Sequence, residues 1–191
     1  MATIPFVLPD ALPSVLSDDA LVDVIQETVV GITGLDPKLV RPSAQPNPPN
    51  LPDFSINWVA LLVNVTDADT FAFIRQINEE EIELERDQEI NLLASFYGPQ
   101  AQNVCGVFKD GLQIEQNRFA LGRSGIKLIN TARERHLPSL VKEVYQQRYD
   151  LPVLMRRRIR RVYQSASINS AMLGLDNEYY ITPITVNPPT P

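Results

Sequence analysis

The feature that most constrains the fold is the long stretch Glu81–Tyr97, in which charged and apolar side chains alternate. One set of alternate positions is acidic: Glu81, Glu83, Glu85, Asp87 and Glu89. The other set carries Ile82, Leu84, Ile90, Leu92, Ala94 and Phe96. Successive side chains of a β-strand point to opposite faces, so a period of two indicates a strand. The sequence therefore predicts a long strand with one acidic face and one apolar face.

A second stretch, residues 148–163, has the same period but the opposite charge. Its apolar set is Tyr149, Leu151, Val153, Met155, Ile159 and Tyr163, and Arg156, Arg158 and Arg160 occupy the other set. This pattern predicts a second long strand, whose polar face is basic. Shorter strands are predicted for residues 56–65 and 126–132. The segment 138–145 remains ambiguous.

Two segments have helical spacing. Ser17 is a good N-cap, and the apolar positions from Leu21 to Val29 follow at i, i+3, i+4, i+7 and i+8. Gly31 and Gly34 are predicted to end this helix. A second helix is predicted for residues 99–114, and another short turn of helix for 117–122. Together the patterns predict an α+β fold in which two or three helices pack on one face of a mixed, mostly antiparallel β-sheet.

Proline divides the chain into a central domain and two extensions. Pro5, Pro9 and Pro13 recur every fourth residue and exclude a helix, yet the residues between them are apolar. We therefore predict an extended N-terminal arm over residues 1–16, a domain over 17–164 and an extended C-terminal arm over 165–191. Inside the domain, residues 36–55 form a proline-rich loop. Proline lowers the conformational entropy of the unfolded chain, so a long loop of this kind can hold one shape.

The composition disfavours several classes of function. The chain has 191 residues and a net charge of −6, which argues against a free DNA-binding domain. Cys105 and His136 are the single cysteine and histidine, so no intrachain disulfide is possible. Cys105 lies on the apolar stripe of its predicted helix, which argues against a catalytic Cys–His pair. No nucleophile, phosphate-loop or metalloprotease motif occurs, and we predict no enzymatic activity, cofactor or metal. We also predict no membrane span and no secretory signal.

The charged strands allow more than one interpretation. A solvated or ion-paired face explains the acidic strand better than a cation site, because alternate residues are about 7 Å apart and do not converge on one ion. The arginines suit pairing with acidic residues, contact with DNA, or simple solvation. We favour pairing between subunits, in which Arg156, Arg158 and Arg160 face Glu81, Glu83 and Glu85. Two strands of opposite charge would then supply the unlike surfaces of a head-to-tail contact.

Several motifs together resemble the phage neck terminator family. They are Val40-Arg41-Pro42, the prolines from Gln45-Pro46 to Pro52-Asp53-Phe54, Trp58, Ser95-Phe96-Tyr97-Gly98-Pro99, Asp110-Gly111-Leu112, Gln116-Asn117-Arg118 and the segment 157–163. The resemblance covers residues 21–163 and leaves out both arms. It implies a structural protein of the virion that assembles into a ring, usually six-fold, between the head-completion proteins and the tail tube or sheath.

The resemblance also implies which parts of the chain make contacts. The proline-rich loop would dock the next ring through Arg41, Pro42, Gln45, Pro46, Pro48, Pro49 and Phe54. Genomic DNA would pass through the lumen without specific binding, and assembly would take place in the host cytoplasm. An alternative is a portal-adjacent adaptor that contacts DNA, with its arginine-rich strand facing the lumen.

Overall fold

The structure is a computed structural model that describes residues 18–45, 50–78, 80–141 and 144–164. Predictions for the cap Ser17, for the two arms and for Pro46, Pro48 and Pro49 lie outside these residues. The described helices are α1 (Asp18–Thr33), α2 (Ala101–Gly111) and α3 (Glu115–Arg123), with a short 3₁₀ turn at Pro37–Leu39. The described strands are β1 (Val40–Pro42), β2 (Trp58–Asp67), β3 (Phe73–Gln76), β4 (Glu81–Tyr97), β5 (Ile126–Thr131), β6 (Arg135–His136), β7 (Ser139–Val141), β8 (Val144–Gln146) and β9 (Arg148–Gln164).

One mixed sheet organises the domain. Its strands follow the order β1-β2-β4-β9-β5, and β3 and β6 add to the edges of β4 and β9. Only β1 and β2 are parallel; the other described pairs of this sheet are antiparallel. Strands β7 and β8 form a separate hairpin. The predicted α+β class with a mostly antiparallel sheet is confirmed.

Strands β4 and β9 are the two longest strands of the sheet and lie next to each other. They pair along their full length of 17 residues each, from Glu81 opposite Gln164 to Tyr97 opposite Arg148. At about 3.3 Å per residue the pair is roughly 55 Å long. The hydrophobic core uses residues 90–96 of β4, whereas residues 81–89 contribute none of its buried side chains. One half of the pair therefore supports the core, and the other half extends past it as a ribbon.

The three helices pack on one face of the core half. Leu21, Ile25 and Val29 of α1 are buried there, and so is Phe108 of α2. The ring of Phe108 lies 5.8 Å from the ring of Phe96 on β4, centre to centre. Burial of these large apolar side chains is the main source of stability. The prediction that helices cover one face is confirmed, and we call the other face, which carries the odd-numbered residues of β4, the open face.

Several boundaries differ from the predictions. Helix α1 continues through Gly31 to Thr33, so the prediction that Gly31 ends it was wrong; Gly34, with φ of 70°, follows the last turn. The helix predicted for 99–114 ends at Gly111, and α3 begins as a separate helix at Glu115. The ambiguous segment 138–145 belongs to the β7–β8 hairpin. Strands β1 and β3 were not predicted, because three or four residues are too few to show a period.

Gly98 ends β4 in a conformation that other residues rarely adopt. Its φ is 112°, and a Cβ atom added there would lie 2.6 Å from the carbonyl oxygen of Ile56. The side chain of Asn57 packs into the same turn and accepts a hydrogen bond of 2.9 Å from the backbone N–H of Gln100. The turn therefore joins the start of β2 to the start of α2, with glycine required at its centre.

We expect Gly98→Ala to lower the free energy of unfolding by more than about 2 kcal/mol, because strain at positive φ adds to the clash with backbone atoms. Urea denaturation followed by circular dichroism measures the change. Gly106→Ala is the matched control: Gly106 lies inside α2, and an added Cβ would meet nothing within 4 Å. There alanine should stabilise the helix by up to about 1 kcal/mol. Equal effects at the two sites would contradict the assigned role of Gly98.

Candidate interaction surfaces

A ladder of opposite charges crosses the open face of the ribbon. We define the charged ladder as Glu85, Asp87 and Glu89 of β4 with the arginines that lie directly opposite on β9, namely Arg160, Arg158 and Arg156. The N–O distances are 2.8 Å for Arg160–Glu85, 2.8 Å for Arg158–Asp87 and 3.3 Å for Arg156–Glu89. Arg158 also reaches Glu85 at 3.4 Å. Each rung joins two strands of the same chain.

The ion pair between Asp87 and Arg158, the central pair of the charged ladder, stabilises the charged forms of both side chains. The hydrogen bond from Arg158 holds the pKa of Asp87 below its usual value. Partial burial of the carboxyl group opposes this shift, and the positive charges of Arg158, Arg156 and Lys127 add to it. The hydrogen bond to Asp87 in turn raises the pKa of Arg158. Both groups are therefore ionised at neutral pH, and the ladder sets the register of β4 against β9.

The predicted acidic and basic surfaces are thus not separate surfaces. Glu85 pairs with Arg160, Glu83 pairs with Arg75 of β3, and Glu81 accepts a hydrogen bond from Asn78. The acidic and basic strands are neighbours in one sheet, so their opposite charges do not by themselves supply unlike edges for a head-to-tail contact. A contact of these residues with a second subunit remains a prediction. Their outer surfaces stay accessible, since the Arg158 and Arg160 side chains are 53% and 59% exposed.

The proline-rich loop begins on the sheet. Arg41 and Pro42 belong to β1, and the Arg41 guanidinium donates hydrogen bonds to the carbonyls of Lys38, at 2.6 Å, and Asn50, at 3.0 Å. These bonds tie the two ends of the loop together. Beyond Asn50, the side chains of Leu51, Phe54 and Ile56 are exposed. Docking of another virion protein at this loop remains a prediction.

An exposed apolar cluster that the sequence reasoning missed lies at the far end of the ribbon. We define the hairpin tip as residues 71–77, which include β3 and its flanks. Phe71 and Phe73 are 86% and 64% exposed, and Ile74 and Ile77 are also exposed. Large apolar side chains grouped on a surface mark a contact with another molecule. The alternation of Phe71 and Phe73 in the sequence is typical of a strand. A pattern this short does not indicate whether the two side chains are buried or exposed.

A second apolar surface lies on the helix layer. We define the α3 surface as the exposed side chains of Ile114 and Phe119 together with the groove between α1 and α3. This groove of about 570 Å³ is lined in part by Val24, Ile32 and Ala120. Helix α3 packs beside β5, which is an edge strand next to β9, whereas the hairpin tip is attached to the other edge of β4. The exposed side chains of α3 therefore lie towards the β5 edge, while the groove extends across the helix layer to α1, which packs on β1.

The single cysteine and histidine are not brought together as a reactive pair. Cys105 is 1% exposed within the core, and burial raises the pKa of its thiol to about 11. His136 is exposed, stacks on Tyr149 and shares a hydrogen bond with Gln147. Within the described ranges, no group of three or more His, Cys, Asp or Glu side chains is arranged to hold a metal ion. None of the described helices has the length and apolar character needed to cross a membrane.

A sheet covered by helices on one face, with apolar side chains exposed on the hairpin tip and on α3, has the surface features of a protein that contacts other proteins. A sequence model of the family described as "Phage neck terminator protein" matches residues 19–182, and the chain belongs to this family. It is accordingly a structural protein of the phage neck, and hence of the virion. No curated protein matches the chain.

Proposed function

We propose that this protein forms a closed ring, of six copies as the family resemblance implies, that terminates the tail and joins it to the head-completion proteins. The observation that carries the proposal is the presence of two separate exposed apolar surfaces, the hairpin tip attached to β4 and the α3 surface on the helix layer. A contact between unlike surfaces generates a ring when the rotation between subunits closes. The hairpin tip of one subunit would pack against the α3 surface of the next.

Charge supports this direction of assembly. The exposed residues that flank the tip, Asp69 and Glu80, are acidic, and Arg75 within the tip is paired with Glu83. On α3 the exposed basic residues Arg118 and Arg123 outnumber the acidic Glu115. Complementary charges around an apolar centre favour the correct partner and speed association. The proline-rich loop and the ends of the ring would contact the neighbouring neck and tail proteins, and assembly would take place in the host cytoplasm.

The lumen would let genomic DNA pass without specific binding. The arginines of the charged ladder are each engaged by a carboxylate of β4, which leaves less free positive charge for phosphate oxygens. The chain as a whole has a net charge of −6. These observations favour a connector over the alternative adaptor that contacts DNA through its arginine-rich strand.

Negative-stain microscopy and sedimentation velocity of the purified full-length protein test the ring. We expect closed particles of uniform diameter that coexist with monomer as the concentration falls. A protein that stays monomeric at high concentration, and also within isolated phage necks, would refute the proposal.

The charged ladder allows a separate test of the predicted seam. If Arg158 also faces a neighbouring subunit, Arg158→Glu should leave a folded monomer that no longer forms rings. The double variant with Asp87→Arg and Arg158→Asp keeps an attractive ion pair within the chain. It exchanges the positions of the positive and negative charges that a neighbouring subunit would contact. We expect this double variant to remain folded and to fail in assembly, as judged by circular dichroism and mass photometry. Rings formed by the double variant would show that the rung acts within one chain only.

A further inference from the structure

The outer edge of β2 is only partly covered. Strand β1 pairs with residues 59–61, and the last backbone hydrogen bond on that side runs from the Ser43 N–H to the Leu61 carbonyl, at 2.7 Å. Backbone groups of alternate residues in a strand point to the same edge, so Val63 and Val65 point their N–H and C=O groups the same way as Leu61. On the side of β2 that faces away from β4, no strand that the structure describes pairs with this part of β2. We call residues 62–67 the open edge.

An apolar groove lies beside the open edge. It has a volume of about 720 Å³ and is lined by Leu21 and Val22 of α1 together with Val63 and Val65 of β2. Asn64, Thr66 and Asn91 line its other side. An unpaired backbone edge beside apolar pockets is the arrangement to which an extended peptide adds as a further strand.

The N-terminal segment has the sequence such a strand requires. Pro5, Pro9 and Pro13 all have odd numbers, so in an extended conformation their nitrogen atoms would face away from the sheet. The even-numbered residues Ile4 and Phe6, like Leu8, would then turn their N–H groups to the open edge. In an antiparallel pair, residues that exchange hydrogen bonds carry their side chains on the same face. These three apolar side chains would therefore lie beside Val63 and Val65, under α1.

The direction of α1 limits how its own chain could supply an antiparallel strand at the open edge. Leu21 lies at the groove, while the side chain of Gln26 donates a hydrogen bond of 2.8 Å to the carbonyl of Val40, which is opposite Val59. Helix α1 thus runs antiparallel to β2, and its first residue, Asp18, emerges near the Asp67 end of the strand. A segment of the same chain could lie antiparallel to β2 only after doubling back before Asp18, or could lie parallel to β2 as β1 does; the internal disulfide in the experiment below identifies either case. The segment of a second copy has no such restriction.

We propose that residues 4–8 of one subunit add as an antiparallel strand to the open edge of β2 in a neighbouring copy. This inference rests on the proposed ring and names a second contact within it. Each subunit would donate one strand and accept another, so that neighbours are linked by backbone hydrogen bonds in addition to the contact at the hairpin tip.

A disulfide between the two strands tests this contact in the full-length protein. Residues that exchange hydrogen bonds across an antiparallel pair have Cα atoms about 5.5 Å apart, a separation that a disulfide spans. The variant with Val65→Cys and Phe6→Cys, oxidised at the concentration where rings form, should give a ladder of covalent multimers on a non-reducing gel. Ile4→Cys or Leu8→Cys in place of Phe6→Cys covers the other two registers. Cys105 is buried and does not compete.

The control pairs Phe6→Cys with Asn130→Cys, an exposed position on the opposite edge strand β5, and should give no multimers. Mixing a chain that carries only Phe6→Cys with a chain that carries only Val65→Cys should give a covalent dimer of unlike chains. A monomer closed by an internal disulfide would overturn the inference, because the segment would then serve its own chain. Intact rings without a disulfide in any register would overturn it and leave the ring standing. Absence of rings from the unaltered protein, both in solution and within isolated phage necks, would refute both proposals.

Discussion

A protein in which Phe71 and Phe73 are both replaced by aspartate should stay a folded monomer at concentrations where the unaltered chain forms rings. Burying one phenylalanine side chain contributes about 1.5–3 kcal/mol, so two of them contribute roughly 3–6 kcal/mol to a contact. That range corresponds to about a 10²–10⁴-fold loss in the association constant for each subunit contact. The acidic flank of the hairpin tip adds repulsion between the new aspartates and Asp69. Mass photometry across a concentration series measures the loss.

The β7–β8 hairpin offers a matched control. Leu140 and Tyr145 lie opposite each other on it, and both are exposed, as Phe71 and Phe73 are. Replacing both by aspartate adds the same charge to a hairpin that belongs to neither proposed contact surface, and assembly should be unchanged. If both double variants lose assembly equally, added charge is responsible and not the hairpin tip. Rings formed by the Phe71 and Phe73 variant would exclude the tip from the subunit contact.

Replacing Phe96 by alanine should lower the free energy of unfolding by about 3–5 kcal/mol. Phe96 is fully buried on β4, and its ring packs 5.8 Å from that of Phe108, centre to centre, which holds α2 against the sheet. Removing the ring loses the free energy of burial and leaves a cavity that close-packed neighbours fill only in part. Since domains of this kind are stable by about 5–15 kcal/mol, the loss is a large share of the total. Urea denaturation, monitored by circular dichroism, measures it.

Phe119→Ala provides the comparison, because Phe119 is an exposed phenylalanine on α3. Away from the core this substitution should change stability by no more than about 0.5 kcal/mol. It should nevertheless weaken assembly, since Phe119 belongs to the α3 surface. A small effect of Phe96→Ala on unfolding would mean that α2 is not held to the sheet through this contact.

The elements that could be predicted are those whose pattern is long and local. Strands β4 and β9 each alternate over many residues, and the first helix repeats its apolar positions over three turns, so their type and the buried face of the core half followed from period alone. The burial of Glu83 in the ribbon did not follow from the period. The family resemblance also rested on motifs that the sequence shows directly, such as Val40-Arg41-Pro42 and Ser95-Phe96-Tyr97-Gly98-Pro99. The predicted contact residues depended instead on where the strands lie relative to one another, which no local pattern reveals.

The amino-acid sequence by itself determined the secondary structure of the long elements, the face that each one buries and the α+β class, because these depend on side chains a few positions apart. Only the tertiary structure decided that Asp87 meets Arg158 within one chain, that Phe71 and Phe73 are exposed, and that no described strand pairs with the outer side of β2 at Val63 and Val65. Each of these depends on strand order and register, which bring residues far apart in the chain together. The exposure of a residue likewise depends on whether distant parts of the chain pack over it. A single stretch of sequence does not contain that information.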